Sequence, residues 1–118
     1  MSVQFITHRG KRIIEADYTA CQTKEETFLV LDKLTEYVKD NEGPLLVLSD
    51  ATFTHLSREF MSKAKRSGKP LQHKVGKSAV LGITGIKKVL LQAYRKYAGS
   101  KMTPFDTREE ALKYLTAD

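Results

Sequence analysis

Asp50 and His55 stand close together in the hydroxyl-rich run Asp50-Ala51-Thr52-Phe53-Thr54-His55-Leu56-Ser57, and a carboxylate beside an imidazole is the minimum equipment for acid–base work. No second carboxylate or nucleophile is implied beside them. Cys21 is the single cysteine. It lies just before a helix start, where a thiol pKa can fall, but local spacing sets no His or Asn beside it. His8, His55 and His73 are scattered, without the spacing of a metal site. Gly82-Ile83-Thr84-Gly85-Ile86-Lys87-Lys88 places glycines and lysines before a helix and lacks the Walker spacing, so it is an anion-site candidate and not a phosphate loop. These residues define no catalytic constellation, no metal site and no cofactor motif. The expected role is non-enzymatic.

The elements that must position these residues follow from hydrophobic period and punctuation. Val3 to Thr7 alternates apolar and polar residues, His8-Arg9-Gly10-Lys11 turns, and Arg12 to Tyr18 reads as the return strand of a hairpin. Thr23-Lys24-Glu25-Glu26 is a capping box. Phe28, Leu31, Leu34, Tyr37 and Val38 follow it with helical spacing, and the helix ends near Asn41 and Gly43. Leu45 to Ser49 is an unbroken apolar run of the kind buried on both faces of a parallel sheet. Ser57 caps a predicted helix over Arg58 to Ser67, with Gly68 at the left-handed stop and a basic connector to Lys77. Ser78 to Ile83 reads as the second buried strand, Ile86 to Ala98 as a helix stopping at Gly99, and Lys101 to Phe105 as a short strand. Thr107-Arg108-Glu109-Glu110 is a second capping box, opening a helix through Leu115.

The order ββαβαβαβα predicts an α/β fold, a mixed sheet of about five strands with an N-terminal hairpin and four helices. Residues 1–118 form a single domain, since one domain typically takes about 100–150 residues. In such sheets ligands bind beyond the carboxyl ends of the parallel strands. Asp50, Thr52, Thr54, His55, Ser57, Thr84 and Gly85 converge there, a rim for a protein partner or a small ligand. The same residues also suit helix capping and Asx or Ser/Thr turns.

Charge is lopsided. Residues 1–60 carry seven Lys/Arg against ten Asp/Glu and residues 61–118 carry thirteen against four, for a net charge of +6. No acidic residue lies between Met61 and Phe105. At 100° per residue the helix over 86–98 shows Ile86, Val89, Leu90, Ala93 and Tyr97 as a core stripe and Lys88, Gln92, Arg95 and Lys96 opposite. Lys87, Lys88, Leu91, Tyr94 and Arg95 would then form a surface for an anionic membrane or partner. The aromatics are not interleaved with the basic residues in any nucleic-acid reading motif, which argues against nucleic acid. A homo-oligomer is left open. The lone cysteine and the absence of an apolar leader segment at Met1 to Gly10 predict a reducing, cytoplasmic setting, with peripheral association at the inner membrane surface allowed by the basic helix.

Several segments together resemble the SpoIIAA-like bacterial domains, which are related in fold to STAS domains and to CRAL-TRIO lipid-transfer domains. They are Lys11-Arg12-Ile13-Ile14, Leu48-Ser49-Asp50, Phe60-Met61-Ser62-Lys63-Ala64-Lys65, Lys77 through Gly85, and Pro104-Phe105-Asp106-Thr107-Arg108-Glu109-Glu110-Ala111-Leu112. The resemblance covers nearly the whole chain. It implies a binding module that recognises a protein partner or a lipophilic small molecule. In the anti-sigma-factor antagonists of that family the phosphorylated serine lies in an Asp-Ser-Ser-Gly segment. His55-Leu56-Ser57-Arg58 stands at about that place without the flanking Asp and Gly.

Overall fold

The computed structural model describes residues 2–98 and 100–117, and within them the side chains of all but Ile86, Leu90, Tyr94, Tyr97 and Ala98. Strands β1 (Val3–His8), β2 (Lys11–Asp17), β3 (Leu45–Asp50), β4 (Val75–Leu81) and β5 (Met102–Phe105) form one sheet in sequence order. β1 is antiparallel to β2 and the remaining pairs are parallel. The expected α/β fold with a mixed sheet of five strands is therefore present, as are four helices: α1 (Lys24–Lys39), α2 (Arg58–Gly68), α3 (Ile86–Ala98) and α4 (Arg108–Thr116).

The strand order explains where the helices go. Each parallel crossover steps to the next strand in the same direction, so right-handed connections put α1, α2 and α3 on one face. α2 packs between α1 and α3, while α4 packs on β3, β4 and β5 from the other side. The register divides the core accordingly. Ile14, Val47 and Ser78 align across the sheet, as do Ala16, Ser49 and Val80, and these face the three-helix layer. Ile13, Leu48, Ala79 and Leu81 point the other way, towards Ala111 and Leu115 of α4. On that same face Glu15 is nearly buried and is held by Arg108 at the start of α4 and by the Gln4 amide at 3.4 Å. A carboxylate at that depth needs such donors, because burying a charge unpaired costs several kcal/mol.

The first capping box forms in full: Thr23 accepts from the Glu26 amide while the Glu26 carboxylate accepts from the Thr23 amide. The second forms in part: Thr107 accepts from the Glu110 amide, and its hydroxyl donates to the Glu110 carboxylate. Three boundaries differ from the sequence reading. Gly68 is not a left-handed stop: at φ −84 and ψ −35 it stays helical, and the chain runs on as a 3-10 turn over Lys69–Lys74. Pro70 sits in the first positions of that turn, where its fixed φ fits and its missing N–H removes nothing. β4 starts at Val75 because Val75 pairs with Leu45 ahead of a register shift. It ends at Leu81 and not at Ile83, because Gly82 turns left-handed at φ +83. The expected stop at Gly99 lies outside the described residues.

The third helix is rotated relative to the expected stripe. Val89 is 60% exposed and Ala93 is exposed, whereas Leu91 is buried at 7%. The reason is geometric: Lys87 and Leu91 lie one turn apart on one face, and Val89 lies about 200° from Leu91. Turning Lys87 towards the strand ends therefore turns Leu91 inward with it. Burying a leucine side chain stabilises by about 1.5–3 kcal/mol. The other expected stripe residues, Ile86, Leu90 and Tyr97, have side chains outside the described set.

Gly82 has two reasons to be glycine. Its φ is in the region that a Cβ disfavours, and a Cβ there would press into the backbone of Ala51 and Thr52. Gly85 also has positive φ, at +56, but open space around it. Gly82→Ala should therefore destabilise by about 3 kcal/mol or more and Gly85→Ala by only about 1 kcal/mol, measured by denaturant unfolding. Equal losses would show that the Gly82 contact is not rigid.

Candidate functional site

The carboxyl ends of β2, β3 and β4 are tied together by backbone hydrogen bonds: the Tyr18 amide donates to the Asp50 carbonyl and the Ala51 amide to the Leu81 carbonyl, each at 2.9 Å. The loop that follows β3 is held by its own side chains. Asp50 Oδ1 accepts from the Thr52 amide at 3.0 Å and the Thr52 hydroxyl at 2.6 Å, an Asx turn. Thr54, 2% exposed, donates its hydroxyl to the Tyr18 carbonyl at 2.8 Å, and its amide reaches the Ala51 carbonyl at 3.0 Å. Asp50, Thr52 and Thr54 thus build the rim from within. Phe53, between them, is 99% exposed and held at φ +59, a region that costs a bulky side chain about 1–2 kcal/mol.

The rest of the expected rim is more ordinary. Ser57 caps α2 by accepting from the Phe60 amide at 3.0 Å. Thr84 and Gly85 are exposed, and their carbonyls accept from the amides of Lys87 and Lys88 to start α3. His55 is exposed, and among the described residues no hydrogen bond joins it to Asp50, whose Oδ1 serves Thr52. The Cys21 thiol is pushed up in pKa by burial and then by Glu26 and Asp17, opposite to the lowering that its place before a helix start suggested. Burial first, and then these two carboxylates, outweigh the helix end. Among the described residues, no cluster of three or more His, Cys, Asp or Glu could hold a metal.

Beneath this rim, between the sheet and the layer of α1, α2 and α3, lies a cavity of about 90 Å³. Its walls are Leu31 and Leu34 of α1, Phe60, Met61 and Ala64 of α2, Leu91 of α3 and Val80 and Met102 of the sheet. Polar groups reach it from Tyr18, Ser49 and Lys87. Lys87 is the surprise. Its part-buried ammonium donates to the Ala51 carbonyl at 2.9 Å and the Gly82 carbonyl at 3.2 Å, clamping the loop after β3 to the turn after β4. Two expected members of a membrane-facing surface are therefore corrected: Leu91 is a cavity wall and Lys87 a clamp at its mouth. Lys88 and Arg95 remain exposed, and the Tyr94 side chain lies outside the described residues.

The cavity's walls were not legible in the sequence, because they come from all the layers at once. One signal was present: Lys87 and Leu91 are one turn apart, so a buried leucine there carries the lysine inward. Among the described residues, no helix is long and apolar enough to cross a membrane. No family model, no curated protein and no solved structure matches the chain.

Desolvation lowers the pKa of Lys87. The unfolded chain then keeps that proton to higher pH than the folded chain, so the group's unfavourable contribution is full below the folded value and is relieved as pH rises towards 10.5. The stability of the wild type relative to Lys87→Met should accordingly increase between neutral pH and about pH 10 in denaturant titrations. A difference that stays flat or falls would place the ammonium in ordinary solvent.

Proposed function

We propose that this protein is a non-enzymatic, STAS-type module that binds a small, largely apolar ligand beneath the carboxyl edge of its sheet. The observation that carries the reading is the apolar cavity, which opens at the strand ends where α/β sheets place their ligands. The resemblance to SpoIIAA-like domains and the ββαβαβαβα order support it. Size decides the ligand class. About 90 Å³ is well above the ~10–15 Å³ that one water needs and falls short of the ~150 Å³ void that admits benzene. A short aliphatic group fits, and an extended lipid chain does not. The partner-switching role of phosphorylated STAS proteins draws no support from Ser57, whose hydroxyl caps α2.

Methyl NMR during titration with n-butanol tests the reading. Shifts should concentrate on Leu31, Met61, Leu91 and Met102, and Ala64→Leu, which fills the void from α2, should abolish them while retaining a folded spectrum. Shifts spread over the surface, or unchanged in the filled variant, would refute it.

A second reading, recognition of a protein partner at the same edge, is favoured by Phe53, an aromatic ring fully exposed on a loop locked by Asp50 and Thr54. Exposed aromatics on rigid loops make interface anchors. Phe53→Gly should leave stability unchanged or raise it by up to about 1 kcal/mol, since it relieves the positive φ and loses no packing. A clear loss of stability would show that the ring serves the fold and not a partner. The peripheral-membrane reading retains Lys88, Arg95 and the exposed Val89, and it loses Leu91.

A further inference from the structure

Among the described residues, Lys87 brings the one charged side chain to the cavity wall, and what surrounds it defines a ligand more narrowly than size does. An ammonium carries three N–H donors. Two are engaged by the Ala51 and Gly82 carbonyls, which are neutral acceptors. Among the described residues no carboxylate pairs with it, in contrast to Lys63, which pairs with Asp32, and Arg108, which pairs with Glu15. The nearest acidic residue in sequence to the clamp, Asp50, directs its Oδ1 at Thr52. The ammonium thus stands part-buried beside apolar walls, held by two bonds, with its third donor unassigned and no counter-charge. A half-buried cation in that state gains most from an anion that brings its own apolar surface.

We propose that the cavity's ligand is a short-chain monocarboxylate, with its aliphatic tail between Leu31, Met61 and Leu91 and its carboxylate on the ammonium of Lys87. The proposal rests on the reading of the cavity as a ligand site and names the class that the site takes. A phosphate monoester is a poorer match, because its three acceptor oxygens and charge of about −1.5 to −2 call for more donors than one ammonium and a hydroxyl. Ser49 supplies that hydroxyl: it is 5% exposed, lies on the face of β3 that lines the same cavity, and gives the second carboxylate oxygen a donor. The ammonium is preorganised, since both carbonyls that hold it belong to segments fixed by other contacts, the Asp50 turn and the close approach of Gly82 to Thr52. Little side-chain freedom is left to lose on binding.

The test compares n-butyrate with the near-isosteric, neutral n-butyramide by calorimetry and methyl NMR. Butyrate should bind the wild type about tenfold tighter than butyramide, the advantage of a charge-assisted hydrogen bond over a neutral one. In Lys87→Met the two affinities should converge. In case that variant does not fold, the Lys87 ammonium signal of the wild type is followed directly: butyrate should shift it and leave the other lysines unmoved. Butyramide binding as tightly as butyrate, or butyrate shifting several surface lysines alike, overturns the carboxylate assignment while the cavity reading stands. If neither compound perturbs the cavity methyls, both fail.

Discussion

The loop after β3 can cross to β4 only because Gly82 has no side chain. A Cβ there would press into the backbone of Ala51 and Thr52, and the left-handed φ of +83 turns the chain out of β4 at the same point. Everything at this edge follows from that approach. It sets the Ala51 and Gly82 carbonyls close enough for one ammonium to bind both. Lys87 can bind them only by facing inward, and this sets the rotation of α3. The rotation buries Leu91 and closes the cavity roof, and it leaves Val89 outside. A turn, a helix orientation and a candidate site are thus consequences of one glycine.

The sheet explains why the cavity lies where it does. Sequential parallel strands with crossovers of one hand place three helices on one face and leave the other to α4. Small residues at the seam, Ala51 and Ser49 from the sheet side and Ala64 from α2, leave the space that larger ones would fill. The opposite face is filled by Leu48, Ala79, Ala111 and Leu115. The asymmetry separates a structural face from one able to receive something.

Much of this was legible in the sequence. The order of elements, the hairpin, the Thr23 capping box, the Thr107 cap and the apolar strand Leu45 to Ser49 are local signals, and local signals survive folding when tertiary contacts agree with them. The gathering of Asp50, Thr52, Thr54 and Thr84 at one edge followed from topology alone. What was not legible needed partners distant in the chain. Gly68 is an ordinary stop residue until Pro70 and the 3-10 turn carry the helix on. The face of α3 could not be settled by periodicity, because its apolar residues span a little over half of its circumference and the decision belongs to two carbonyls in other segments. Cys21 followed the same rule: burial, and then two carboxylates, overrode the helix end that local reasoning weighed.

The central claim is that the space beneath the strand ends is a binding site and not a packing flaw. A crystal of the protein equilibrated with xenon gas measures it most directly, since xenon marks apolar voids without needing a polar contact. A single strong site enclosed by Leu31, Met61, Ala64 and Leu91, near the Lys87 ammonium, is the expected result. Xenon bound only elsewhere, with the side chains of α2 and α3 collapsed across the gap, would contradict the account.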